Sequence, residues 1–125
     1  MVGFDQVKEA AGRLAGVAQR TPLLTNRILD EQTGRRVFLK PEMLQHSGSF
    51  KFRGAYNRLE ALSKEERAAG VIAWSSGNHA QGVALAGAQM GIKSVIVMPK
   101  TTPDIKVKSV RRLGGKAILH GDNYD

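Results

Sequence analysis

Val71-Ile72-Ala73-Trp74-Ser75-Ser76-Gly77-Asn78-His79-Ala80-Gln81-Gly82 is the stretch on which the reading of the fold turns. A short apolar run gives way to a small polar loop and then to a small-residue helix, predicted from Asn78 to Met90. An unbroken apolar strand followed directly by a helix is the signature of a parallel sheet with covered faces. The alternation continues downstream. Gly91 ends the helix, Ser94 to Met98 reads as the next strand, and Thr102-Pro103-Asp104 offers a cap, a first-turn proline and an acidic residue for another helix. Gly114-Gly115 stops that helix, and Lys116 to His120 reads as the last strand. The expectation is an α/β fold: an open parallel sheet of 71–74, 94–98 and 116–120, right-handed crossovers, and helices on both faces. Trp74 is expected in the core. Gly121-Asp122-Asn123 reads as a turn and Tyr124-Asp125 as the start of a further helix.

Upstream, Ser63-Lys64-Glu65-Glu66 is a capping box, with glutamate three residues after serine. Before it, Phe50 to Leu62 has helical spacing at Phe52, Ala55, Leu59 and Leu62. A serine ahead of that run is a cap candidate and places Lys51 in or beside the first turn. Arg36 to Lys40 reads as a short strand, and Thr25 to Gln32 as a short helix or turn closed by Gly34. Residues 4 to 18 read as a helix with the stripe Phe4, Val7, Ala11, Leu14 and Ala18. Residues 46–125 are taken as a small α/β domain, preceded by an N-terminal segment, 1–45.

A chain of 125 residues suffices for one domain with a modest core, and the sequence reads as the first part of a longer protein. The absence of cysteine excludes disulfides and thiolate metal sites and suits a cytoplasmic protein. No apolar run approaches the ~20 residues of a membrane span. The net charge of +8 raises the question of nucleic acid. The Lys and Arg residues are scattered, though, and interleaved aromatics are missing, so a solvated helix face explains the cluster at Lys106, Lys108, Arg111 and Arg112. His46, His79 and His120 have no paired spacing, and no metal site is expected.

Two places carry chemistry. The loop Ser75 to His79 lies between strand and helix, at the sheet edge where α/β proteins bind ligands. Its hydroxyls, backbone N–H groups and helix start suit a carboxylate or phosphate. An ordinary capped loop would look much the same. The second place is Lys51. A helix N-terminus is a poor position for an ammonium, more so with Arg53 nearby, and neutral lysine is the form that attacks carbonyls. Alone, this stretch also describes a solvated surface lysine.

Read together, the two places resemble a known family. Ser49-Phe50-Lys51-Phe52-Arg53-Gly54-Ala55, preceded by Lys40-Pro41-Glu42-Met43-Leu44-Gln45, is similar to the cofactor-lysine segment of fold-type-II pyridoxal-phosphate enzymes. The branch it resembles is the threonine/serine dehydratases (ammonia-lyases), with serine racemase and hydroxyaspartate ammonia-lyases as relatives. The similarity runs from about Arg20 to Asp125. It implies the cofactor-lysine domain of the tryptophan-synthase-β-like fold, apparently truncated, with pyridoxal 5'-phosphate held by Lys51 as a Schiff base. Phe50 would pack on the cofactor and Asn78 would meet its ring hydroxyl. Ser75, Ser76, Gly77, Asn78 and His79 would surround the substrate carboxylate, and Ser76 matches an acid/base serine of the racemase. The resemblance further implies a small hydroxy-amino-acid substrate, no nucleic-acid or membrane partner, and a homo-oligomeric full-length protein. Two family elements are missing: the Ser-Gly-Gly-Gly-Gly phosphate loop and a partner for the pyridine nitrogen. The 125 residues alone are therefore expected to be inactive. A non-catalytic α/β module is the other reading.

Overall fold

The computed structural model describes residues 2–123, so the helix start expected at Tyr124-Asp125 lies outside the described residues. The first element, α1 (Phe4–Leu14), carries the anticipated apolar stripe yet buries none of its residues fully. It ends short of Ala18 because the chain turns at Gly16, in the left-handed region at φ 73°. Val17 then packs against the core. A two-residue strand, β1 (Leu24–Thr25), pairs antiparallel with β2 (Phe38–Leu39). Only the second of these was marked by an apolar run; two residues are too few to show a period. Between them α2 (Arg27–Thr33) starts on the Asn26 side chain, which accepts from Leu29 N at 3.1 Å. It closes at Gly34, φ 64°.

Two 3-10 turns, Glu42–Leu44 and His46–Gly48, lead into α3 (Lys51–Glu60), whose Phe52, Ala55 and Leu59 point inward and are buried. α1 is tied to α3 by Arg13, which donates to Asn57 Oδ1 at 3.1 Å and lies 3.3 Å from Glu60 Oε2. The capping box of α4 (Lys64–Ala69) forms in full. Glu66 N donates to Ser63 Oγ at 3.2 Å and Ser63 N donates to Glu66 Oε2 at 2.8 Å.

From here the alternation follows the expected order: β3 (Val71–Trp74), α5 (Asn78–Met90), β4 (Ser94–Met98), α6 (Asp104–Arg112) and β5 (Lys116–Leu119). The three strands form a sheet in the order β3-β4-β5, both pairs parallel, with Ile72 opposite Val95 and Val97 opposite Ile118. The α/β class and the parallel sheet stand as read from the sequence.

The expected cover on both faces does not. α5 packs on β3 and β4, α6 packs on β5, and the two helices touch each other, so they share one side. Strands added one after another in a single direction, with crossovers of one hand, put every connecting helix on the same face. On that face Ile96 and Met98 are fully buried. On the other, Ile72 is 76% exposed and Trp74 54% exposed, with Ile118 beside them. Trp74 is thus not a core residue, because the alternation of β3 points it at the open face.

The covered face is thin because small residues let helices approach. A Cβ on Gly115 would meet Ala84 Cβ at 2.8 Å, and one on Gly114 would meet Ala88 Cβ at 2.7 Å. This glycine pair is a helix stop, as expected, and also a close contact with α5. The cap expected from Thr102 is not made. α6 starts at Pro103 with no side-chain bond, and Thr102 Oγ1 is buried without a partner.

Candidate active site

The lysine helix is approached through two left-handed residues of the preceding 3-10 turn, Ser47 at φ 58° and Gly48 at φ 72°, which turn the chain sharply toward α3. A left-handed serine is uncommon, and sequence marked it only as small and polar. Ser49 is extended (φ −162°, ψ 161°) and Phe50 is already helical. No side chain caps α3. The serine cap anticipated here is absent, since Ser49 Oγ is buried and bonds nothing among the described residues.

Lys51 therefore stands at the first turn of an open helix start. Its side chain is exposed, with Nζ 5.2 Å from the centroid of the half-exposed Phe50 ring. Among the described residues no carboxylate lies within ion-pair distance of it. Arg53 does not act on Lys51 as a free charge, because its Nη2 lies 3.1 Å from Glu42 Oε2. Glu42 Oε1 in turn accepts from Thr21 Oγ1 at 2.7 Å, and Lys40 Nζ donates to the Thr21 carbonyl at 2.6 Å.

A second tie holds the same region. Gln45 is buried, donates to the Gln19 carbonyl at 2.8 Å and accepts from Gln19 N at 2.9 Å. His46 Nε2 sits 3.0 Å from the Val17 carbonyl, and its ring stands edge-on to Phe52 at 5.0 Å. Residues 17–21 and 40–46 are thus the seat of the lysine helix. The sequence reading named Gln45 and Glu42 only as motif letters; nothing local shows which backbone they would reach.

The second loop leaves the sheet where Ser75 N donates to the Val97 carbonyl at 3.1 Å. Gly77 N donates to Ser75 Oγ at 3.3 Å, and α5 then starts with no side-chain cap. Its first-turn N–H groups point out of the helix end, where an anion would satisfy them. Ser75, Ser76 and Gly77 are half-buried, and Asn78 and His79 are exposed. The ends of β4 and β5 share this edge. Lys100 N donates to the Gly121 carbonyl at 2.8 Å, and Thr101 Oγ1 to the Asp122 carbonyl at 3.1 Å.

The two places meet at Gly82. A Cβ built there would lie 3.1 Å from the carbonyl carbon and oxygen of Lys51 and 3.2 Å from Phe52 N. Asn78 is one helical turn before Gly82, on the same face of α5, so it borders the same gap as the start of α3. His79 is different. It lines a groove between α3 and β3 with Ala55, Leu59, Val71 and Val83. It follows Asn78 by one residue, roughly 100° around α5, and so lies on a different flank of the helix.

These residues fit pyridoxal phosphate at its aldehyde end, for which an exposed primary amine is the partner. The aromatic face of Phe50 and the uncapped α5 start suit a flat, anionic molecule. Among the described residues no three His, Asp or Glu side chains gather as a metal site requires, and no helix is long and apolar enough to cross a membrane.

Comparison with known proteins gives the family. The family model described as pyridoxal-phosphate dependent enzyme matches residues 14–125. The L-threonine ammonia-lyase of Thermotoga maritima is 49% identical over all of this chain, which covers 31% of that protein's length. The L-threo-3-hydroxyaspartate ammonia-lyase of a Pseudomonas species is 49% identical over 94% of the chain and 37% of its own length. Among solved structures, maize serine racemase superposes with a TM-score of 0.93 at 39% identity, over 98% of this chain and 37% of that one. The chain spans about a third of the length of these relatives. Over nearly all of its own length, in residue pattern and in fold, it belongs to the pyridoxal-phosphate dependent enzymes.

Proposed function

We propose that this chain is the lysine-bearing part of an enzyme that deaminates L-threonine or L-serine to a 2-oxo acid and ammonia. The observation that carries the reading is the meeting of Lys51 with the Asn78 helix through Gly82, because it packs the backbone of the lysine one turn from an open helix start suited to an anion. When bound, pyridoxal phosphate supplies the electron sink that takes up the charge left on the substrate Cα. Lys51 Nζ holds the cofactor in the resting enzyme and, once free, takes the Cα proton of the substrate. Ser75, Gly77 and Asn78, with the backbone N–H of His79, hold the substrate carboxylate and so fix which Cα bond faces the lysine. Phe50 would pack against the cofactor, and Asn78 would bond its ring hydroxyl.

Residues 1–45 seat the lysine helix and support a larger domain, and residues 46–125 form the small domain. The complete enzyme is a cytoplasmic homo-oligomer that binds no nucleic acid, and the 125-residue chain alone does not turn over. Likeness to maize serine racemase, together with a serine at position 76, favours a second activity, in which Ser76 serves as acid/base opposite Lys51.

The test uses the complete enzyme. Lys51→Ala abolishes 2-oxo acid formation, whereas Ser76→Ala keeps most activity on the L-substrate and loses any formation of D-amino acid. Near-normal turnover by Lys51→Ala overturns the assignment.

A further inference from the structure

We propose that Gly82 is the positioning residue that sets where the Lys51 amine stands relative to Asn78. The inference rests on the role given to Lys51 above. The three atoms nearest to a Cβ on Gly82 belong to one peptide unit, the one that leaves Lys51: its carbonyl carbon and oxygen at 3.1 Å and Phe52 N at 3.2 Å. At that separation the neighbour must give by a few tenths of an ångström. A side-chain tip could rotate away. Backbone in the first turn of a helix cannot, so the turn itself has to move.

α3 is not free to slide as a body. Phe52 is fully buried, with its ring 5.0 Å from that of His46 and 5.7 Å from that of Tyr56. Arg53 is held by Glu42 on the seat formed by the N-terminal segment. Displacement at the Lys51 peptide therefore goes into the direction of the Lys51 side chain, which makes no hydrogen bond or ion pair among the described residues and touches only the half-exposed Phe50 ring. A small change at Cα is carried outward along four methylenes to Nζ. Asn78, one turn up from Gly82, stays in place, and the separation between amine and asparagine changes.

Gly87 provides an internal contrast. It is also a buried glycine of α5, and a Cβ there would meet the Ile92 carbonyl oxygen at 2.9 Å and Ser94 Cβ at 3.2 Å. That clash is tighter, and it falls on the entry to β4 instead of on the lysine. Substitution at Gly87 disturbs the fold without a direct path to the amine.

The experiment compares wild type, Gly82→Ala and Gly87→Ala in the complete enzyme. The readouts are melting temperature without cofactor, the rate at which added pyridoxal phosphate becomes fixed to Lys51 by borohydride (located by peptide mapping), and kcat and KM. Gly87→Ala is expected to melt lower yet label at the wild-type rate. Gly82→Ala is expected to label about tenfold more slowly and to lose about tenfold in kcat with little change in KM, since sub-ångström misplacement of a reacting group acts on the chemical step.

A further variant covers the case in which Gly82→Ala does not fold. Lys51→Cys, alkylated to the aminoethyl side chain, moves the amine by tenths of an ångström through its longer C–S bonds and leaves the α3–α5 contact intact. It is expected to show the same slowed kinetics. If Gly82→Ala labels within twofold of wild type, or if the thia analogue is indistinguishable from lysine, Gly82 is a packing residue only and the inference falls. If the wild type itself is not labelled at Lys51, the functional reading falls and takes the inference with it.

Discussion

α4 and α5 begin in opposite ways. At α4 the Ser63–Glu66 box closes the helix end on itself, with both reciprocal bonds made and the carboxylates of Glu65 and Glu66 in the first turn. At α5 the residue before the helix is Gly77, which has no side chain to offer, and the first-turn N–H groups stay open. α3 resembles α5, since Ser49 precedes it but caps nothing. A capped start uses its N–H groups for stability. An open start leaves them to water or a ligand; α6 also starts without a side-chain cap, but the starts of α3 and α5 are the ones whose helices the Gly82 contact joins. What holds an uncapped helix must then come from its flank.

The largest effect expected from this contrast is therefore in the flank of α3. Phe52→Ala removes the fully buried ring that anchors the lysine helix beneath its open end. Losses for such a truncation are about 3–5 kcal/mol, and denaturant titration of the enzyme should show a drop of that size. A loss under about 1 kcal/mol would mean that α3 is held at its end after all.

Next comes an attempt to convert α5 into α4. Gly77→Asp places a capping carboxylate where the backbone is extended (φ −113°, ψ −150°) and where a Cβ meets nothing within 4 Å. Stability should hold or rise by a few tenths of a kcal/mol, since Asp exceeds Gly as a cap by about that much. kcat/KM for the amino acid should fall by about a hundredfold, as the carboxylate now occupies the N–H groups and repels the substrate's own. Unchanged kcat/KM beside a raised melting point would show that the open start binds nothing.

The reverse operation is smaller. Ser63→Ala should cost about 1 kcal/mol of stability and leave kinetics untouched, because α4 lies outside the site. The same variant has a pH signature. The Glu65 carboxyl is held below its ordinary value, first by a backbone hydrogen bond and then by the Ser63 hydroxyl. A carboxyl lowered in the folded state contributes stability that is complete above the usual carboxylate range and is lost as pH falls through the folded value. Ser63→Ala should move the Glu65 titration upward toward the ordinary value, as followed by carboxyl NMR. No upward movement would remove the hydroxyl from the account.

The sheet and its helices were legible because each is announced locally. Val71–Trp74, Ser94–Met98 and the run from Lys116 are apolar stretches bounded by Gly70, Gly91 and Gly114-Gly115, and their strands fall on those residues with the last one ending at Leu119. The Ser63 box spans four consecutive residues and forms as written. β2 was marked by its apolar run, but its partner β1 escaped notice because two residues show no period, and the Thr102 cap was misread because Pro103 took the position at the helix start. Trp74 was misplaced for a different reason: its size argues for burial, but burial depends on whether anything covers that side of the sheet.

Residue order alone therefore establishes the α/β class and the order of strands and helices, and it marks the stretches around Lys51 and Asn78 as candidates for chemistry, since all of these are written in side-chain type and short spacing. Packing settles the rest. It leaves Ile72 and Trp74 on an open face, spends Glu42 and Gln45 on seating the lysine helix, sets His79 at a groove lined by Ala55, Leu59 and Val83, and brings the bare Cα of Gly82 against the Lys51 peptide. Each of these joins residues far apart along the chain, where no local periodicity exists to announce which atoms will touch.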